Sequence, residues 1–318
     1  MPTSFCRPYQ GVDVIGDLHG HHAVLEKLLP QLGYRRDGDG WRHTERLAVF
    51  VGDLIDRGPQ QLATLNTVRA MVEDSNALCI MGNHEFNALS YFMKDQDGRP
   101  LRPLSTTISD PHLPFLQAVG DGSSLHAYWA AWFLQLPLWL EMEGLSVVHA
   151  CLDAAAMQCL RQQGLTAECC LTPELIRAGN TKGSPVYAAL EVVCKGPETA
   201  LPAGHSFADK DGKQRTRIRT RWWSDTATTY RDLALLDEEH RAAIPNTPLL
   251  QGICPILPPQ PVCIGHYWLS PTAQPAPLSP RIACVDYSAG KGGPLVAYRW
   301  NKGDTAFYAD RFVRCLPD

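Results

Sequence analysis

The sequence predicts an α/β fold built on a parallel sheet. Two observations carry the prediction. Strand-like and helix-like segments alternate through roughly the first ninety residues, and three of the apolar runs end in glycine followed by a polar residue. Strand–helix–strand crossovers are right-handed and leave their strands parallel. Ligands of such sheets gather beyond the carboxyl ends of the strands.

The elements follow in order. "GVDVI" at 11–15 is a strand, with 12–15 buried, and "HAVLEKLLPQL" at 22–32 spaces its apolar residues as a helix does. "RLAVFV" at 46–51 is a second strand, "QQLATLNTVRAMVE" at 60–73 a second helix and "NALCIM" at 76–81 a third strand. Residues 94–124 are rich in Pro, Asp, Gly and Ser and read as an inserted loop. A helix is expected over 125–136, a hairpin over 136–150 ending at His149, and helices near 172–178 and 184–193. Residues 195–260 change character, with mixed charge, two tryptophans and many prolines, and read as an insertion or lid. Strand-like runs return at 261–266, 281–288, 294–300 and 305–313. A single domain over 1–318 is the expected organisation.

Composition narrows the class. A chain of 318 residues with 45% hydrophobic and 19% charged residues is ordinary for a soluble globular protein. The net charge of −4 gives no overall attraction to nucleic acid or an anionic membrane, so neither is an expected partner. Eleven irregularly spaced cysteines with no C-x-x-C pair argue against a disulfide framework or a cysteine zinc site. Buried thiols in a reducing cytoplasm are expected. No run is long enough to span a membrane, and the first ten residues lack the regions of a signal peptide.

The strand ends read "GDLHG" (16–20), "GDLIDRGP" (52–59) and "GNHE" (82–85). Glycine there permits a tight turn and close approach of the backbone to an ion. Together with two later strand ends, they deliver Asp17, His19, Asp53, Asn83, His149 and His266 to one edge. Carboxylate, imidazole and amide oxygen form a ligand set for Mn²⁺, Fe or Zn²⁺. Six ligands exceed the needs of one ion. Two ions sharing a carboxylate would use them all, and Asp53, on the middle of the three strands, is the natural bridge. Taken singly, Asp17 and Asp53 read as well as helix caps, His149 and His266 as core histidines, and Asn83 as a turn residue. One architecture that accounts for all six outweighs those readings.

The three motifs, in order, resemble the signature of the calcineurin-like metallophosphoesterases. "DRG" brings them closest to the phosphoprotein phosphatase branch, which also holds bacterial diadenosine tetraphosphatases. "VVHACLD" (147–153) resembles that family's fourth motif, "CIGHYWL" (263–269) its fifth, and "CVDYSAGKGGPL" (284–295) the segment that follows. The resemblance implies a four-layer βαβα sandwich of two mixed sheets flanked by helices, here with an inserted lid segment. It implies one metal on Asp17, His19 and Asp53 and a second on Asp53, Asn83, His149 and His266, with Mn²⁺ the first candidate. It further implies that His84, paired with Asp56, protonates the leaving group, and that Arg57 grips phosphoryl oxygens. The activity implied is hydrolysis of phosphate esters or anhydrides by direct attack of a hydroxide between the metals. The substrate would be a phosphoprotein or a nucleoside polyphosphate. The alternative is a non-catalytic scaffold serving as an interaction module, which the filled ligand set disfavours.

Departures from the family pattern mark further residues. Cys151 stands where the family often has glycine, and a nucleophilic role for it lacks a base or oxyanion partner. Tyr267 and Trp268 either narrow the cleft or stack on substrate. "KQRTRIRTRWW" (213–223) spaces Arg215, Arg217, Arg219 and Arg221 at period two, so one strand would place all four on a single face. That row is either an anion-binding wall, to which Lys195 and Lys210 would add, or a solvated edge strand. The family carries a second phosphate-contacting arginine in this region, for which Arg221 and Arg231 are the candidates. His21, His22, His43, His112, His126 and His240 are expected to be surface or structural.

Overall fold

The computed structural model describes residues 9–104, 110–209, 212–253 and 256–317. Two mixed sheets form its centre. In the first, Gly11–Ile15 lies parallel to Arg46–Phe50, which lies parallel to Ala77–Cys79. Leu295–Asn301 and Phe312–Cys315 extend this sheet antiparallel on its other side. The second sheet runs Ile282–Cys284, Val262–Ile264, Leu145–Val148, Trp139–Met142, with only the last pair antiparallel.

Alternation along each strand explains the layering. Val12 and Val14 pack with Val147, Cys263 and Ala283 of the second sheet, whereas Ile15 turns to the helices. Helices His22–Gln31 and Gln61–Glu73 bury Leu25, Leu28, Leu65 and Val68 against that outer face. Helices Ser124–Phe133, Ala154–Gln162, Pro173–Gly179 and Pro185–Lys195 add to the same core. The result is the expected sandwich of two mixed sheets between helices. Asp13 is the polar exception, and its buried carboxylate is met by Arg46 at 2.8 Å and Arg299 at 3.0 Å.

Several local expectations are corrected. The segment 94–124 is not loop throughout, since Leu113–Val119 is helical with Pro in its first turn. Residues 305–313 are not one strand; a 3₁₀ turn at Ala309–Arg311 precedes Phe312–Cys315. The arginine row does not form one strand. Gln214–Arg215 pairs with Phe207–Ala208 and Arg217–Arg219 with Glu198–Ala200, so the chain changes partner at Thr216. Arg215 then meets Asp209 at 2.7 Å and Arg217 meets Glu198 at 3.7 Å. Lys195 pairs with Glu191 on its own helix, and Lys210, like Cys6 and Cys254, lies outside the described residues. A small core of Leu201, Phe207, Ile218, Tyr230, Ala234 and Ile244 holds the insertion together.

Candidate metal centre

Strand ends bring the ligand types together. Asp17 and His19 follow Gly11–Ile15, Asp53 follows Arg46–Phe50, and Asn83 opens a helix, Asn83–Phe92, that the sequence pattern did not announce. His149 and His266 end strands of the second sheet. Neither Asp17 nor Asp53 caps a helix, because the cap positions fall at His21 and Gln60.

Asp53 is the hub. Its Oδ2 lies 3.3 Å from His149 Nε2 and 3.7 Å from His19 Nε2, while its Oδ1 accepts the His84 amide at 2.9 Å. Asn83 Oδ1 is 3.2 Å from His149 Nε2. Asp53, His149 and His266 offer ligand atoms all within 4.8 Å of one another, as do His19, Asp53 and His84. Asp17 is in neither of these groups; its buried carboxylate accepts the His266 amide at 3.1 Å.

The chemistry of this donor set fits cations. His19 Nδ1 donates to the Ile55 carbonyl at 3.0 Å and His149 Nδ1 to the Val51 carbonyl at 2.7 Å, which turns each Nε2 inward as a ligand. His19 Nε2 and both ring nitrogens of His266 are buried without a hydrogen-bond partner. Burial, and then the charge on His84, hold the His19 imidazole down at about 3, so it is neutral. Burial likewise holds His266 neutral, helped by His149 and Arg219. Burial and the neighbouring Asp286 push the Asp17 carboxyl well above the usual carboxylate range. Buried acids crowded beside bare imidazoles are what divalent cations relieve.

Backbone conformation shows how tightly the loops are drawn in. His19, Asp53, Asp56, Arg57, His266 and Trp268 all adopt positive φ, a region non-glycine residues seldom occupy. A Cβ on Gly82 would stand 2.2 Å from Asp53 Oδ1, so only glycine lets these loops meet.

His84 is within reach of the first group, with its Nε2 3.8 Å from Asp53 Oδ2. Its Nδ1 is bonded to Asp56. Burial opposes the charged ring, but Asp53 and Asp56 hold its pKa above the ordinary histidine value. A charged imidazole is a proton donor and a poor ligand. Arg57 is exposed at the rim, its guanidinium 4.6 Å from the Trp268 ring centre, and the Lys291 ammonium is 4.4 Å from the same ring. Trp268 in turn stacks on His19 at 5.3 Å.

Other expectations are redirected. Cys151 is fully buried, with no exposed surface for a nucleophile. Tyr267 is buried too; its hydroxyl donates to the Ala150 carbonyl at 3.0 Å and accepts Trp222 Nε1 at 2.8 Å, pinning the insertion beside the site. Arg221 bonds the Asp232 carbonyl and Arg231 the Ile244 carbonyl at 2.8 Å, both contacts lying within the insertion. Arg219 is the member of the row whose charge bears on His266 and Tyr267, and its Nε, like that of Arg221, is buried without a partner. Its place in the period-two row was the available signal.

Two residues escaped the sequence reading. Glu85 is wholly buried and accepts the amides of Asp53, Leu54 and Gly82 at 2.8, 2.8 and 2.9 Å. It is the last letter of "GNHE", though nothing in the letters assigns it three amides. His112, expected to be surface or structural, is buried and bonds Asp56 Oδ1 through Nδ1 at 2.7 Å. No motif marks it.

Residues 12–150 match the family model described as calcineurin-like phosphoesterase. The match takes in the first three motifs and the fourth as far as Ala150, and ends before His266. A bis(5'-nucleosyl)-tetraphosphatase of Geobacillus is 35% identical over 144 residues, 44% of this chain and 56% of that protein. Another, from Halalkalibacterium halodurans, is 37% identical over 99 residues, 31% of this chain and 40% of that protein. The chain thus spans about half the length of the curated relatives it matches. A serine/threonine phosphatase structure from Saccharomyces cerevisiae superposes with a TM-score of 0.51 at 13% identity, covering 99% of this chain and 82% of that one, a likeness of fold.

Proposed function

We propose that this chain is a metal-dependent phosphoesterase that hydrolyses phosphate esters or anhydrides. The observation that carries the proposal is Asp53 Oδ2 placed 3.3 Å from His149 Nε2 and 3.7 Å from His19 Nε2, with His84 Nε2 3.8 Å from the same oxygen. Asp17, His19 and Asp53 would hold one divalent cation, and Asp53, Asn83, His149 and His266 the other. Bound there, two such ions ionise a water molecule and neutralise charge on the phosphoryl oxygens. Mn²⁺ is the first candidate for this oxygen-and-imidazole set, with Fe or Zn²⁺ compatible.

The chain's own residues supply the rest. Asn83 adds an acceptor without negative charge, which eases entry of a phosphate dianion. Arg57 reaches the rim with a planar fork suited to two phosphoryl oxygens. Arg219, rather than Arg221 or Arg231, supplies the second cation. His84 donates its Nε2 proton to the leaving oxygen and Asp56 holds the ring.

A dinucleoside polyphosphate is the substrate class we favour over a phosphoprotein. The relatives with the matching motifs are named tetraphosphatases, and Arg57 and Lys291 flank Trp268 beside the centre, where further phosphates would extend. A cytoplasmic location fits the nine cysteines among the described residues, none of them in a disulfide, and no described helix is long and apolar enough to cross a membrane. The test is hydrolysis of diadenosine tetraphosphate and of a phosphopeptide by purified protein with Mn²⁺. Turnover of the dinucleotide, abolished by a chelator, is expected. Dominant phosphopeptide turnover would reverse the substrate choice, and inactivity of the metal-loaded protein on both would favour the scaffold alternative.

A further inference from the structure

We infer that His112 is a positioning residue that locks the Asp56–His84 pair in the orientation needed to protonate the leaving group. The inference rests on the hydrolytic reading above. It begins from an unusual sharing of one carboxylate. Asp56 Oδ2 accepts from His84 Nδ1, and Asp56 Oδ1 accepts from His112 Nδ1 at 2.7 Å. A carboxylate held by one oxygen still rotates about its Cβ–Cγ bond. Held by both, its plane is fixed, and with it the direction of the His84 ring.

The surroundings support a purpose-built contact. His112 is only 6% exposed, and its ring packs against Phe115 at 5.2 Å and Tyr91 at 5.8 Å. Its Nε2 is buried without a hydrogen-bond partner, so Nδ1 is the nitrogen that carries the donated proton. The backbone is docked at the same point, for the Arg57 amide donates to the Pro111 carbonyl at 2.9 Å. From the other side, Gln61 accepts the Asp56 amide at 2.8 Å. A segment remote in sequence from the motifs is thus tied at adjacent residues to the acid and the arginine of "DRG". His84 Nε2 is left facing the centre, 3.8 Å from Asp53 Oδ2.

The step served is balanced as follows. Water, having lost one proton to solvent, forms a new bond from its oxygen to phosphorus. The bond from phosphorus to the leaving oxygen breaks, and that oxygen takes its electron pair and the His84 Nε2 proton. The neutral imidazole is reprotonated from solvent. A residue that acts by aiming His84 matters most when the leaving oxygen is basic and needs the proton. It matters little when the leaving group departs easily.

The experiment compares wild type, His112→Phe and His112→Asn on phenyl phosphate and p-nitrophenyl phosphate. Phenylalanine keeps the buried ring and drops the donor, whereas the asparagine amide sits near the position of Nδ1. For His112→Phe the expected result is a kcat loss of about tenfold or more on phenyl phosphate, the scale of losing an outer-shell partner. The expected loss on the nitrophenyl ester is under about threefold, with KM little changed and most of the deficit recovered by His112→Asn. Equal losses on both esters, no loss, or no recovery by asparagine would overturn the inference. A second readout needs no turnover. In ¹⁵N-labelled protein, His112→Phe is expected to shift the His84 Nδ1–H resonance and His112→Asn to return it, whereas an unmoved resonance would refute the positioning role. Wild-type inactivity on both esters and on diadenosine tetraphosphate would count against the hydrolytic reading instead, and the resonance comparison would still decide the contact.

Discussion

The carboxylate of Glu85 accepts the backbone amide of Asp53 at 2.8 Å, so the loop that carries the hub of the centre is held by a residue outside both candidate ligand groups. The same carboxylate holds the Leu54 and Gly82 amides. Leaving a buried amide unpaired costs about 1–3 kcal/mol. Glu85→Ala is therefore expected to lower stability by at least about 3 kcal/mol, read from denaturant midpoints, and to reduce bound metal. Glu85→Gln, which keeps one acceptor oxygen, should fall between. A variant as stable as wild type would show that water or rearrangement replaces the acid.

Asp53→Asn removes the charge that both ligand groups share. Metal content per chain is expected to drop from two ions to one or fewer. Turnover should fall by more than the about 10- to 100-fold that loss of an outer-shell partner costs. Plasma mass spectrometry of protein desalted after Mn²⁺ loading reads the first quantity, and steady-state kinetics the second.

Arg219→Ala is expected to raise KM for the phosphate substrate by about tenfold, the scale of one charge-assisted hydrogen bond, with kcat less affected. Arg231→Ala should leave KM within about twofold and lower the melting temperature, because its bond to the Ile244 carbonyl braces the insertion. The opposite ranking would restore Arg231 as the substrate arginine.

Metal loading should release protons. Burial opposes the charge on His149, but Asp53 and Asp17 outweigh it and hold the imidazole up at about 10. The metal-free ring is thus protonated at neutral pH, while the ligand form is neutral. Apparent cation affinity is expected to rise as the pH climbs from 6 to 9, below that value of about 10. Titration calorimetry in buffers of different ionisation enthalpy should register the released proton. The sign for stability runs the other way. The raised value contributes to the metal-free fold fully below the ordinary histidine range, and that contribution is lost as the pH rises through about 10. A pH-independent affinity would show that His149 is already neutral.

Much of this architecture was legible because strand ends are local. "GDLHG", "GDLIDRGP" and "GNHE" each pair an apolar run with a glycine turn and a ligand, and six polar residues at one edge have few explanations other than cations. The arginine row misled because period two cannot reveal where a strand changes partner, and Thr216 is where it does. The carbonyl partners of Arg221 and Arg231 depend on how the insertion folds on itself, which residue type alone does not reveal. His112 was invisible for a related reason. It gains its role only when a segment outside every motif folds back onto Asp56, and one histidine in a polar loop carries no periodicity to announce that.

The most direct measurement is an anomalous-scattering map of crystals soaked in Mn²⁺ and collected at the manganese edge. Two peaks flanking the Asp53 carboxylate are predicted, one beside Asp17 and His19 and the other beside Asn83, His149 and His266. A single peak, or density that avoids Asp53, would contradict the account.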